Sequence, residues 1–197
     1  LINSNIVPVV RKLLRSLPSG KELEIPFIQL LETVIFDKPP ETSNTLHWHQ
    51  DVAYFPCRPN NQIAVWLPFE PVNKATGAMN YAIGSHKAGI RGSTNLHTRE
   101  AYQDEDRKLI PLDPGEEGFD VVCMEMAPTD MVIHDGYTWH YSGPNTMPGH
   151  QRRGLSVRFM REPAVFDPRP GQAAAFTHQN IVQAFDVGKS EDGIYYF

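Results

Sequence analysis

Apolar residues Val7, Val10, Leu13, Leu14 and Leu17 recur at helical spacing with Arg11, Lys12 and Arg15 between them, and Pro18-Ser19-Gly20 ends the pattern. The spacing predicts one amphipathic helix over residues 6–17. The period then changes. The runs Ile28 to Phe36, Thr45 to Phe55, Gln62 to Glu70, Ala78 to Ile83, Asp120 to Met126, Asp130 to His134 and Arg153 to Met160 are short and rich in β-branched and aromatic residues, and Pro, Gly and Asn bound them. Such punctuation predicts a mainly β chain, a sandwich or barrel of short strands, with a jelly roll as the favoured architecture. Between Gly84 and Asp120 the pattern lapses into a long polar stretch. Loops longer than about 15 residues are uncommon in compact domains, so residues 85–120 are read as a lid or substrate loop, with a surface insertion or a short helix as the other readings.

The chain has 197 residues, 41% of them apolar, enough for one domain spanning 1–197 that buries about 70% of its unfolded surface. It begins at Leu1, and the helical pattern starts almost at once, which predicts that a longer protein extends upstream. A net charge of −5 argues against nucleic acid or an anionic membrane as a general partner. Cys57 and Cys123 are too few for a disulfide framework and lack C-x-x-C spacing. No apolar run reaches the roughly 18 residues of a membrane span. The expected setting is the cytoplasm, with a peroxisome as the eukaryotic alternative, and the expected state is a monomer or homodimer.

Within Thr45 to Phe55, His49 and Asp51 form an H-x-D pair. On an extended strand residues i and i+2 share a face, so an imidazole and a carboxylate can reach one ion. A second histidine from elsewhere would complete two His and one carboxylate on one face of an octahedron, the arrangement of non-haem Fe(II) oxygenases. His134, His140 and His150 are the candidates. His134 follows Met131-Val132-Ile133 and equally suits a hydrogen-bonded core position, whereas His150 lies in a loop and reads as surface. His47 shares the face of His49 and Asp51, so a His-rich cupin site is the competing arrangement.

An oxygenase of this kind needs an electron source for O2. The common one is 2-oxoglutarate, whose far carboxylate is met well by the planar fork of an arginine. In the run from Arg152 to Phe159, Arg152, Gly154, Ser156 and Arg158 share one face and Arg153, Leu155, Val157 and Phe159 the other. The small residues of the first face leave room for a ligand beside Arg152. Arg153, and with it Arg158, reads more naturally as a surface residue.

Lys38-Pro39-Pro40, His49-Gln50-Asp51-x-x-Tyr54-Phe55-Pro56-x-Arg58-Pro59, Trp66 in Ala64-Val65-Trp66-Leu67, Gly77-Ala78-Met79 leading to Gly84-Ser85-His86-Lys87, and His140-x-Ser142-Gly143-x-Asn145 followed by Arg152 occur in this order over about residues 30–160. Together they resemble the phytanoyl-CoA dioxygenase family of Fe(II)/2-oxoglutarate oxygenases. The resemblance implies a double-stranded β-helix, a cupin-like jelly roll with a few helices packed on one sheet. It implies His49, Asp51 and His140 as iron ligands, Arg152 with Ser142 on the 2-oxoglutarate carboxylate, and Gln50 and Trp66 lining the cosubstrate pocket. The cofactor set is then Fe(II), 2-oxoglutarate and O2. Asp51 favours hydroxylation over halogenation, since the halogenating relatives carry a small residue there. Ala82-Ile83-Gly84-Ser85-His86 departs from the pattern by lacking the usual Pro before Gly. Strand alternation aims Gln50 away from the metal, so the backbone has to bend there for Gln50 to reach the cosubstrate.

Candidate contacts to a small-molecule substrate are His47, Tyr54, Phe55, Arg58 and Trp139, with packing as the competing role for the aromatics. The family acts on acyl-CoA thioesters as well as smaller scaffolds. With no Lys/Arg cluster for the CoA phosphates in view, a smaller organic substrate is preferred to an acyl-CoA. A metal cupin working without 2-oxoglutarate and a catalytically silent ligand-binding jelly roll remain as other classes.

Overall fold

Val7, Val10 and Leu14 form the buried face of the N-terminal helix α1 (Ile6–Arg15), and they lie against Ile28, Val65, Val157 and Phe159 of the larger sheet. The computed structural model describes residues 5–15, 28–55, 57–59, 61–102, 106–161, 165–166, 188–189 and 195–196. The predicted end of the helix, residues 16–17, lies outside them. The larger sheet has the order β11 (Gly188–Lys189), β12 (Tyr195–Tyr196), β1 (Ile28–Lys38), β9 (Arg152–Arg161), β4 (Gln62–Pro68), β7 (Val132–Asp135). The smaller runs β2 (Leu46–His49), β8 (His140–Ser142), β5 (Met79–Ala82), β6 (Val121–Cys123). β3 (Cys57–Arg58) and β10 (Val165–Phe166) pair separately. Among the described residues all strand pairings are antiparallel except that of β1 with β12.

Alternation gives the larger sheet two apolar faces. On β4, Ile63, Val65 and Leu67 pack toward α1, while Trp66 turns to the other side and joins Met79 and Tyr81 from the smaller sheet, with Ala78 just ahead of them. The two sheets therefore close on each other as a double-stranded β-helix, the expected jelly roll.

Two departures from the expected pattern shape the interior. The run Thr45 to Phe55 is not one strand: β2 ends at His49, Gln50 is extended, and Asp51–Ala53 form a 3-10 turn. β1 carries a bulge, its register with β9 passing from Leu30↔Phe159 to Glu32↔Arg158 so that Leu31 is the extra residue. Ile28 and Leu30 pack on the α1 face, and strict alternation would send Glu32 there too. The bulge turns Glu32 to the interior, the re-aiming that bulges characteristically perform.

The 85–120 stretch contains 3-10 turns at Ser85–Ala88 and Pro114–Glu117. It is held against the barrel: His47 N–H donates to Leu96 O at 2.8 Å, and Tyr54 Oη donates to Thr94 O at 2.8 Å. Among the described residues no helix is long and apolar enough to cross a membrane.

Gly154 tests the interior packing. A Cβ there would run into the Trp66 ring, at Cζ2 and at Cε2 2.7 Å away. Gly154→Ala is expected to destabilise the fold by about 1–3 kcal/mol, the usual cost of overpacking, read as a lowered urea midpoint with an unchanged m-value.

Candidate metal centre

β2 and β8 pair so that His49 stands directly opposite His140, and the two ring centroids are 4.0 Å apart. Asp51 comes from the 3-10 turn that follows β2. One donor atom from each of His49, Asp51 and His140 lies within 4.8 Å of the other two, and all three side chains are buried. The tautomers suit coordination. His49 Nδ1 faces His47 O at 2.7 Å and His140 Nδ1 faces Thr138 O at 3.0 Å; in each pair the ring N–H donates, which leaves Nε2 with its lone pair for an ion.

Burial pushes the His49 pKa below 6.5 and the His140 pKa well below it, the latter helped by the neighbouring His49 and His134. Both are neutral at neutral pH, the form that binds metal. For Asp51 burial works against ionisation. It is outweighed by Arg158 and by His134 and His140, which hold the carboxyl well below 3.8. Arg158 donates from Nε to Asp51 Oδ2 and from Nη2 to Oδ1, both at 3.1 Å, and His134 Nε2 stands 3.6 Å from Oδ2. Two neutral imidazoles and one carboxylate fit a divalent iron.

A second polar site begins two residues along β8. Arg152 is buried, stacks over Trp66 at 4.7 Å, and donates from Nη2 to Gly77 O at 2.9 Å and Ser142 Oγ at 3.4 Å. Its Nε and the neighbouring Trp66 Nε1 are buried without hydrogen-bond partners. Burial pushes the Arg152 pKa down to about 10, so it stays cationic at neutral pH. A buried fork with an unmatched donor beside an unmatched indole N–H fits a carboxylate. Lys38, cross-strand partner of Arg152, donates to Asn44 O and Ser142 O, both at 3.0 Å, and to Gly143 O. Burial, with Arg152 adding to it, brings its pKa down to about 7.

The family model for phytanoyl-CoA dioxygenase matches residues 5–154. The chain belongs to the phytanoyl-CoA dioxygenase family. The peroxisomal phytanoyl-CoA dioxygenase of Homo sapiens is 28% identical over 139 residues, 68% of this chain and 40% of that protein. The 1-deoxypentalenic acid 11-beta-hydroxylase of Streptomyces arenae is 27% identical over 113 residues, 56% of this chain and 39% of that protein. Among solved structures, EvdO2 from Micromonospora carbonacea var. aurantiaca complexed with 2-oxoglutarate aligns with a TM-score of 0.51 at 26% identity, covering 71% of this chain and 56% of that one. The chain thus spans about 40% of the length of the curated relatives it matches.

Within this phytanoyl-CoA dioxygenase fold several expected residues take other positions. Gln50, expected along the cosubstrate pocket, has its amide committed to the backbone: it donates to Gly89 O at 3.1 Å and Tyr137 O at 3.0 Å and accepts from Arg91 N–H at 2.5 Å, tying the 85–120 stretch down. Trp139 is wholly buried against Ala82 and Ile110, with Phe119 edge-on and Arg91 over its ring, so it packs where a substrate contact was expected. Arg158, expected at the surface, is buried on Asp51. His47 is half-buried and, with His134 and His150, is not in the three-residue donor group. Tyr54 and Phe55 are buried in the interior, the His49 ring edge-on to Tyr54 at 6.0 Å and Arg158 over Phe55 at 5.3 Å. The side chain of Arg58 lies outside the described residues. Sequence reasoning assigned no role to Lys38, or to Glu32 behind its bulge; the inward alternation of β1 toward Lys38 was the available signal for the former.

The histidines set a pH dependence. Both take a proton near 6.5 when unfolded but resist it when folded, so below that pH the unfolded chain binds more protons. Stability falls as pH drops through 6.5, by at most about 1.4 kcal/mol per pH unit for each imidazole. Asp51 acts in the same direction at lower pH: its contribution is present above 3.8 and is lost as pH falls through its depressed folded value. Urea midpoints of the metal-free protein should fall between about pH 7 and about pH 5. A flat profile would show that the imidazoles are not held neutral.

Proposed function

We propose that this chain is the catalytic jelly roll of an Fe(II)- and 2-oxoglutarate-dependent dioxygenase that hydroxylates, or otherwise oxidises, a small organic substrate. The carrying observation is the convergence of His49, Asp51 and His140, the last of them on the strand, β8, that also presents Ser142 to the buried Arg152. In this reading the first three hold the iron, and Arg152, Ser142 and Trp66 hold the far carboxylate of 2-oxoglutarate. When bound, iron and 2-oxoglutarate supply the oxidising chemistry, with O2 consumed, succinate and CO2 released, and one oxygen atom delivered to a C–H bond.

The protein's own part is placement. His49 and His140 offer Nε2 because their Nδ1–H groups are committed to backbone carbonyls, and Asp51 stays ionised because Arg158 faces it. Arg152 fixes one end of the cosubstrate so that its other end reaches the metal in one orientation. The 85–120 stretch, held by Gln50 and Tyr54, covers the β2 side and limits water. Tyr54 and Phe55 pack beside His49 and Arg158 and help hold them in place. A smaller substrate is preferred to an acyl-CoA. The bacterial relative that hydroxylates 1-deoxypentalenic acid supports that preference, while the human relative favours the acyl-CoA alternative.

Anaerobic addition of Fe(II) and then 2-oxoglutarate should give the weak visible charge-transfer band of the chelate, and Asp51→Ala should abolish it. Arg152→Ala should weaken 2-oxoglutarate about 10- to 100-fold, the value of a buried charge-assisted pair, with Fe(II) affinity little changed. No band in the parent protein would remove the oxygenase reading. An unchanged 2-oxoglutarate affinity in Arg152→Ala would remove the cosubstrate assignment alone.

A further inference from the structure

We infer that Arg158, braced by Glu32, is a positioning residue for the metal-binding carboxylate of Asp51. This rests on the iron-site reading above and adds a function for a pair that the family resemblance does not assign. The contact is a planar fork: Nε to Oδ2 and Nη2 to Oδ1, both at 3.1 Å, with Nη1 on Glu32 Oε2 at 2.8 Å. Two parallel N–H···O bonds fix the plane of the Asp51 carboxylate as well as its distance. A carboxylate has about four lone-pair sites, so the fork engages one on each oxygen and leaves another on Oδ1, the oxygen 3.8 Å from His140 Nε2. The fork thus determines which lone pair faces the histidines.

The fork is itself held from two sides. The Phe55 ring lies 5.3 Å from the guanidinium carbon, and Glu32 takes the outer nitrogen. Glu32 is there only because of the β1 bulge at Leu31, which turns it from the α1 face to the interior at the register position of Arg158. A positioning role differs from a purely structural one in what it controls: metal affinity in the folded protein rather than folding alone.

The test is Fe(II) binding under anaerobic conditions, with Co(II) as a spectroscopic substitute, in the parent, Arg158→Gln, Arg158→Lys and Glu32→Gln proteins. Removing the partner of a metal ligand commonly costs 10- to 100-fold in affinity. Arg158→Gln is expected to weaken Fe(II) about 10- to 100-fold and to alter the Co(II) d–d spectrum while circular dichroism shows an intact fold. Arg158→Lys keeps the charge but cannot grip both oxygens in one plane, so it should remain weak. Glu32→Gln keeps an acceptor for Nη1 and should shift affinity only a few-fold, in the same direction. If Arg158→Gln fails to fold, the Glu32→Gln shift decides. Parent-like or tighter binding in the folded variants overturns the inference and leaves the oxygenase reading standing; no metal binding by the parent overturns both.

Discussion

The cross-strand register that sets His49 opposite His140 is the constraint on which the site depends. A slip of one residue between β2 and β8 would turn either imidazole to the outer face, because side chains alternate with period two. Several contacts around the end of β8 oppose a slip. Lys38 reaches from β1 to the carbonyls of Ser142 and Gly143. The Asn145 amide donates to Lys38 O and Pro39 O at 3.1 Å and to His150 O at 2.7 Å. Gly77, at φ +76°, brings its Cα so close that a Cβ there would lie 2.5 Å from Gly143 O. Glycine supplies both the left-handed backbone and the space at that crossing.

Register alone would bring together groups that resist burial. An isolated carboxylate in an apolar interior is costly and tends to neutralise itself, yet Asp51 is held ionised because Arg158 and the nearby imidazoles outweigh its desolvation. The charge that makes Asp51 a metal ligand is therefore a property of β9 and β7 as much as of the turn that carries it. Burial keeps the histidines neutral and the neighbouring imidazoles add to it, against the Nδ1–H bonds to His47 O and Thr138 O, which favour the charged form.

Local pattern was legible where one element decides the outcome. The helical stripe from Val7 to Leu14, the alternation on β9 that sends Arg152 inward, and the spacing of His49 and Asp51 all come from periodicity within a few residues. What escaped was decided by two elements at once. Alternation on β9 placed Arg158 on the same face as Arg152, but only its meeting with Asp51 distinguishes a buried ion pair from a surface residue. Glu32 was hidden more deeply, since a one-residue bulge inverts its parity and nothing in Ile28 to Lys38 marks where that bulge falls. Trp139 and Gln50 belonged to the same class: their neighbours come from the 85–120 stretch, whose path periodicity does not encode.

β9 then gives the interior its polarity. Arg152 and Arg158 lie on one face six residues apart, about 20 Å along an extended strand, with Gly154 and Ser156 keeping the face low between them. The two guanidiniums have opposite surroundings: Arg158 has two carboxylates, whereas Arg152 has the Trp66 ring, a carbonyl, a hydroxyl and the buried Lys38 nearby. The Arg158 end thus presents the ionised Asp51 carboxylate, and the Arg152 end suits an anion. A diacid such as 2-oxoglutarate carries a carboxylate at each end, so Arg152 would fix the distal one while a metal held at His49, Asp51 and His140 would select the chelating 2-oxo end.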